Sequence, residues 1–230
     1  MERLGHPLNA AEAWPPPVHF VPLVGPRYDE GISRGVRLLI LGESHYGDAT
    51  EGEHFGRGCT HYHFQGYLDG CDLAGESQFF QKLPKILTGN VDPTKAESAQ
   101  AWQRVSYANA VQSLVPAAST SPSRSQFSEA GPALRLMAAT LKPDAILMLG
   151  RRLWNGIPAD VGAWSDEPPI RAEKEDRSVW LVPTGEGYAR ASWIFHPSRN
   201  TESLASAMGV LAELIERCAS GPPRPLASRQ

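Results

Sequence analysis

Hydrophobic residues follow two patterns that alternate along this chain. Short and nearly continuous apolar runs, closed by Gly or Pro, are typical of strands that are buried on both faces of a sheet. The first such run, residues 36–41, is interrupted only by Arg37 and is closed by Gly42. Runs of this kind predict strands at residues 36–41, 105–111 and 178–183, one more within residues 142–150, and a last strand with its turn at residues 191–198.

The second pattern is apolar residues at helical spacing. Leu134, Met137 and Leu141 recur in this way, and residues 201–218 form a clear amphipathic stripe. This pattern predicts helices at residues 77–88, 95–104, 125–141, 151–157 and 201–218, and Pro84 should kink the first of them or end it early. Strands that alternate with helices predict an α/β protein, a three-layer α/β/α sandwich with a mostly parallel central sheet.

The remaining segments set the expected domain limits. Residues 1–34 are rich in Pro and predict an irregular or extended arm that packs along the domain, which itself spans residues 35–218. Residues 219–230 predict a disordered tail. Residues 42–76 are rich in Gly, His and aromatic residues and predict a long functional loop, because their aromatic content argues against disorder.

Composition excludes several classes of protein. Hydrophobic residues make up 41% and charged residues 20%, as in ordinary globular proteins. No apolar run approaches the roughly 20 residues that cross a membrane, and no signal peptide is apparent, so a cytoplasmic protein is expected. Three cysteines argue against a disulfide framework and against a four-cysteine metal or iron–sulfur site. The net charge of −3 gives no general attraction to nucleic acid, although a local basic patch would suffice.

Polar residues directly follow the first and the last predicted strands. Gly42-Glu-Ser-His-Tyr46 comes after the first, and His196-Pro-Ser198 after the last. In open α/β sheets, ligands bind outside the carboxyl ends of strands, so both stretches predict a binding or catalytic site. A histidine there can donate to a developing negative charge or act as acid or base. The helix after Ser198 and Arg199 should also offer unpaired N–H groups to a phosphate.

These two stretches resemble the first and last motifs of the uracil-DNA glycosylase superfamily. Tyr107-Ala-Asn109-Ala-Val111 resembles its strand that presents a base-reading asparagine, and Pro143 to Gly150 resembles the strand and glycine before the last motif. The resemblance covers about residues 35–217. It implies the glycosylase fold and a monomeric enzyme that binds DNA, flips out a uracil or modified pyrimidine, and hydrolyses its N-glycosidic bond without a cofactor.

The resemblance also implies roles for individual residues. Glu43 would stabilise the sugar cation and orient or activate water, with Asp48 as the alternative carboxylate. Ser44 stands where the best-known branch has its water-activating aspartate. Asn109 would read the edge of the flipped base, and His196 would stabilise the departing base anion.

The pocket expected from the resemblance differs from the best-known branch. Tyr46, after Gly42, occupies the place of a tyrosine that excludes 5-methyl groups, but His45 replaces a proline and changes the turn. The ring could therefore swing away and admit a larger 5-substituent. Phe55 or Phe64 would stack on the base. One superfamily member removes hypermodified cytosines from phage DNA in bacterial defence, and a variant pocket with a long loop would suit that task.

Contacts to DNA are expected on both sides of the site. Arg199 and Asn200, after Ser198, replace the proline and leucine wedge of the best-known branch, so insertion into a duplex would be polar. Arg151 and Arg152, at the start of a predicted helix, could contact phosphates. Because an aspartate is absent at Ser44, a catalytically inactive module that binds nucleic acid or a nucleobase is the alternative, and a small-molecule hydrolase is a third possibility.

The histidine-rich loop also contains residues that could ligate a metal. Cys59, His61 and His63 lie close in sequence, with His45 and His54 nearby. The alternation of His61 and His63 would place both on one side of a strand. Their spacing matches no known zinc pattern and no acidic cluster completes it, so no metal is predicted and contact with nucleic acid is favoured.

Overall fold

The computed structural model describes residues 6–47, 56–68, 78–117 and 119–223, with side chains in the second range described only to Phe64. Outside these ranges lie the predicted site residues Asp48 and Phe55, together with His54 of the histidine-rich loop. So do residues 224–230 of the predicted tail.

Within the described residues, seven strands form one mixed sheet in the order β1-β3-β2-β4-β7-β6-β5. The four central strands β3, β2, β4 and β7 are parallel, whereas β1, β6 and β5 join antiparallel at the edges. The five predicted strands are confirmed, and two-residue edge strands are added. The strands are β1 Leu23–Val24, β2 Leu38–Gly42, β3 Val105–Asn109, β4 Ala145–Leu149, β5 Ala163–Trp164, β6 Trp180–Pro183 and β7 Tyr188–Ile194.

Six α-helices are found in the described residues, and five of them were predicted. Two have capping boxes, in which Thr94 pairs with Glu97 and Ser123 with Gln126. Of the two outcomes expected for Pro84, an early end of the helix does not occur, since the helix continues to Thr88. The helices are α1 Cys59–Leu68, α2 Gln78–Thr88, α3 Lys95–Gln103, α4 Arg124–Leu141, α5 Arg151–Gly156 and α6 Leu204–Ala219.

Helices cover both faces of the sheet, and this explains why the central strands are apolar throughout. Leu39 and Leu41 of β2 pack in a core with α4, whereas Leu38 and Ile40 pack in a second core with α2 and α6. The N-terminal segment is built into the first core through the buried side chain of Trp14. The coarse prediction of an α/β sandwich with a parallel centre is therefore confirmed.

The segment predicted as one long loop contains a helix. Helix α1 occupies Cys59–Leu68, which the sequence analysis assigned to irregular structure. Its apolar residues form no clear stripe, so helical periodicity did not reveal it. No helix within the described part of the chain is both long enough and apolar enough to cross a membrane.

Candidate functional site

The carboxyl ends of the four parallel strands open into a cavity of about 700 Å³. Segments that follow β2, β4 and β7 line it together with the last residue of β3, and α1 and α2 close it from one side. Its walls are formed by Glu43, Ser44, His45, Tyr46, His63, Phe64, Phe79, Phe80, Tyr107, Asn109, Leu149, Gly150, Arg151, Arg152, Phe195, His196, Ser198, Arg199 and Thr201.

Asn109 is held at the end of β3 by a close approach of β2. Gly42 is its register partner, and a Cβ at Gly42 would come within 2.2 Å of both Asn109 Oδ1 and the Tyr107 hydroxyl oxygen. The Tyr107 O–H donates to Asn109 Oδ1 over 3.1 Å, and burial raises the pKa of Tyr107, which keeps this donor protonated. Among the described residues, Asn109 Nδ2 donates no hydrogen bond, which leaves this donor for a ligand in the cavity.

Glu43 is the only carboxylate among the described residues that line the cavity. Its side chain is 7% exposed and pairs with Arg152, whose Nε donates to Oε2 over 2.6 Å and whose Nη2 donates to Oε1. The hydrogen bonds to Glu43 raise the pKa of Arg152. Arg152 was predicted to contact phosphates, but here its guanidinium is committed to Glu43 and to Ser121 Oγ, 2.6 Å away.

Ser44 presents a buried hydroxyl for which the described residues provide no hydrogen-bond partner. The backbone around it is fixed, because the Val111 N–H donates to the Glu43 carbonyl over 2.9 Å and the Val115 N–H to the His45 carbonyl over 3.0 Å. A serine hydroxyl carries no charge at neutral pH. It therefore cannot supply the electrostatic stabilisation that a carboxylate gives to a cation.

His196 lies two residues beyond β7, with its ring stacked on Phe79 at a centroid distance of 5.6 Å. The Ser198 N–H donates to His196 Nδ1 over 3.2 Å, so the neutral ring carries its proton on Nε2. The pKa of His196 is lowered, mainly by burial. The negative charge of Glu43 offsets part of this shift, and the positive charges of Arg199 and Arg152 add to it. The imidazole is thus a neutral donor at pH 7.

Aromatic side chains supply much of the remaining wall. Phe64 is buried against Tyr107, with ring centroids 4.3 Å apart, and it also lines the cavity. Tyr46 is 37% exposed and lines the same cavity. Phe79 and Phe80 of α2 also line the cavity. The sequence predicts this helix, but nothing in it indicates that these two rings face a cavity.

The residues predicted to contact DNA surround the cavity mouth. Ser198, Arg199 and Asn200 are exposed, and Lys82 Nζ donates to Asn200 Oδ1 over 2.6 Å. Arg151 pairs with Glu175 over 3.3 Å. Asn200 is not among the residues that line the cavity itself.

The start of the last helix is partly capped. Helix α6 begins at Leu204, where the Ser203 side chain accepts from the Ser206 N–H over 3.2 Å. Glu173 in turn accepts from the Ser203 N–H over 3.1 Å. The side-chain cap satisfies one N–H group of the first turn and the Glu173 carboxylate disfavours an anion nearby, while the phosphate site itself stays a prediction.

One group of side chains has the chemistry of a metal site. The ligand atoms of His45, Cys59 and His63 all lie within 4.8 Å of one another. The strand-based expectation for His61 and His63 is wrong, because both residues are on helix α1. Cys59 and His63 are one turn apart there, while His61 Nε2 lies 3.0 Å from the Pro22 carbonyl oxygen.

The structure thus brings most of the predicted site residues together at one edge of the sheet, apart from Asn200 at the rim and the undescribed Asp48 and Phe55. Gly42 contributes because it has no side chain, which leaves the space that Asn109 and Tyr107 occupy. A search of protein-family models and of curated proteins finds no match to the sequence.

Proposed function

We propose that this chain is a divergent member of the uracil-DNA glycosylase superfamily and excises a uracil or modified pyrimidine from DNA. One observation carries the proposal: Glu43, Asn109 and His196, from three distant parts of the sequence, line one cavity at the carboxyl ends of parallel strands. Its volume of about 700 Å³ lies within the range of small-ligand sites and accommodates a flipped nucleobase.

Each of the three residues has a part in breaking an N-glycosidic bond. As the bond breaks, its electron pair goes to the base and the sugar becomes cationic. The Nε2–H of His196 donates to the base oxygen on which the negative charge develops. Asn109 Nδ2 donates to the edge of the base, and the Glu43 carboxylate stabilises the sugar cation until water adds to it and loses a proton.

The ion pair of Glu43 sets a condition on this mechanism. Both carboxylate oxygens accept from Arg152, so Glu43 can turn toward the sugar or a water only after one of these hydrogen bonds is released. Arg152 is 48% exposed, which gives its side chain room to move toward a DNA phosphate. In this proposal, binding of DNA draws Arg152 away and frees the carboxylate.

The same ion pair favours a second candidate, a nucleic-acid or nucleobase-binding module without turnover. With Glu43 neutralised by Arg152 and an uncharged hydroxyl at Ser44, the cavity of the described chain offers no free carboxylate. If Arg152 remains in place when DNA binds, the site would hold a base and leave the N-glycosidic bond of that base intact.

The two candidates are separated by incubating the protein with oligonucleotides that carry uracil, hypoxanthine, 5-hydroxymethylcytosine or its glucosylated form, followed by alkali. Single- and double-stranded substrates are compared. The proposal expects alkali-dependent scission at one of these bases, and the larger bases test a role against modified phage DNA. Scission should be lost in Asn109→Ala and His196→Ala proteins.

Matched variants of exposed residues outside the cavity, Asn155→Ala and His19→Ala, should retain scission. Binding without scission on every substrate would support the second candidate. Absence of binding to any of the oligonucleotides would contradict both.

A further inference from the structure

We propose that His45, Cys59 and His63 form a binding site for a divalent transition metal of the zinc class. The inference is independent of base excision, because none of the three side chains takes part in the excision mechanism proposed above. It concerns the wall of the cavity where helix α1 meets the segment that follows β2.

Two elements converge to build the site. His45 is fixed in the segment after β2, where its carbonyl accepts from the Val115 N–H. Cys59 begins helix α1, and His63 lies one turn later on the same face. The rings of His45 and His63 are stacked with centroids 5.7 Å apart and an interplanar angle of 21°. Two imidazoles and one thiol are thereby brought close together.

The spacing of the three ligand atoms fits a metal with little rearrangement. They lie within 4.8 Å of one another. In a tetrahedral zinc site, bonds of roughly 2.0–2.3 Å place ligand atoms about 3.5 Å apart. Closing the remaining gap requires shifts of about 1 Å, which side-chain rotation of His63 on a helix surface can supply.

The donor set selects the class of metal. Thiolate and imidazole ligands suit zinc and related soft or borderline ions, whereas Mg²⁺ and Ca²⁺ require oxygen ligands. Binding would release the proton of the Cys59 thiol, because the thiolate is the form that ligates a metal.

The surroundings resemble those of known metal ligands in one further respect. His45 Nε2 lies 3.0 Å from the buried Thr60 hydroxyl oxygen. A ligating histidine usually engages its other nitrogen in a hydrogen bond of this kind, which fixes the orientation of the ring. His45 and Cys59 are buried while His63 is exposed, so the ion has an entry path and a fourth position for water or another ligand.

The test uses the full chain without a polyhistidine tag. Its metal content is measured after expression, and the metal-free protein is then titrated with Co²⁺ and Zn²⁺. We expect one metal per chain, with a thiolate-to-cobalt charge-transfer band that Zn²⁺ abolishes by displacement. The Cys59→Ala variant should lose the band, and His63→Ala, at an exposed position, should lose binding while its circular dichroism is unchanged.

Graded and matched controls keep the outcome interpretable. Thr60→Val removes the hydroxyl that orients His45, and affinity should fall about 10- to 100-fold. His61→Ala on the same helix and Cys218→Ser elsewhere should bind metal as the unaltered protein does. Absence of binding in the unaltered protein, or metal and a thiolate band retained in the Cys59→Ala/His63→Ala double variant, would overturn the proposal. Neither result depends on whether the protein excises bases.

Discussion

Two arginine–glutamate pairs in this protein have similar chemistry and different surroundings. Arg177 and Glu202 are 0% and 3% exposed, and their closest atoms are 2.7 Å apart. Arg152 and Glu43 pair equally closely, but Arg152 is 48% exposed and only Glu43 is buried. One pair lies between β7 and the start of α6, and the other faces the cavity.

The neighbours of each pair explain its role. Arg177 also donates to the carbonyls of Trp193 and Glu175 and stacks over the Trp193 ring at 4.0 Å, and Glu202 accepts from the Phe195 N–H. Within the described part of the chain, Arg152 donates one further side-chain hydrogen bond, to the exposed Ser121. The first pair is bound on all sides and has a structural role. The second can open on its solvent side, which is what a carboxylate in a working site requires.

The largest effect on stability is expected from breaking the enclosed pair. Arg177→Met leaves Glu202 charged, buried and without its arginine, and we expect the free energy of unfolding to fall by about 3–5 kcal/mol. Urea denaturation measures this change. Arg177→Met/Glu202→Leu removes both charges and should recover much of the loss. If the single variant is as stable as the unaltered protein, the pair is not the structural element described above.

Breaking the pair at the cavity should cost less. Arg152→Met also strands a buried carboxylate, but Glu43 borders an open cavity and water can reach it. We expect a loss of about 1–2 kcal/mol, between the values for exposed and buried pairs. The same denaturation series measures it. A loss as large as that of Arg177→Met would show that Arg152 is a fixed structural residue and would contradict its release.

The smallest effect is the part of the pH dependence of stability that is due to His196. Because its pKa in the folded protein is lowered by burial, the unfolded chain binds a proton below about pH 6.5 that the folded protein does not yet bind. The free energy of unfolding should therefore fall as the pH is lowered from about 6.5, at about 1.4 kcal/mol for each unit of pKa shift.

Comparison of variants isolates this contribution. In a chelating buffer, His196→Gln should show a shallower fall than the unaltered protein. Arg152→Met should also be shallower, because it removes a positive charge that lowers the pKa of His196. An unchanged slope in His196→Gln would show that another group is responsible.

The central strands and most helices could be predicted because burial on both faces of the sheet leaves a strong apolar signal, as in residues 36–41. Helix α1 could not, since its side chains follow no clear apolar stripe. The edge strands β1 and β5 are two residues each and leave no periodic pattern. Pro84 shows the limit of a local rule, because the helix continues through it.

For the site, polar residues directly after apolar runs located Glu43 and His196 correctly beyond strand ends, whereas Asn109 was indicated by the resemblance alone. Their partners were not predictable, because Arg152 reaches Glu43 across 109 positions of sequence and only the folded sheet brings them together. His45, Cys59 and His63 were among the candidate ligands, but that these three lie together without His61 could not be predicted, since it depends on helix α1. Pairings between elements are set by packing and carry little local signal.

The central claim is that Glu43 is the working carboxylate of a base-excising cavity. Single-turnover excision on the preferred oligonucleotide should be compared for the unaltered protein, Glu43→Gln and Glu129→Gln, an exposed change of the same type on α4. We expect Glu43→Gln to slow excision by about 10²- to 10⁴-fold, the range for loss of an acid–base group, while Glu129→Gln has no effect. Equal rates in all three proteins would contradict the account.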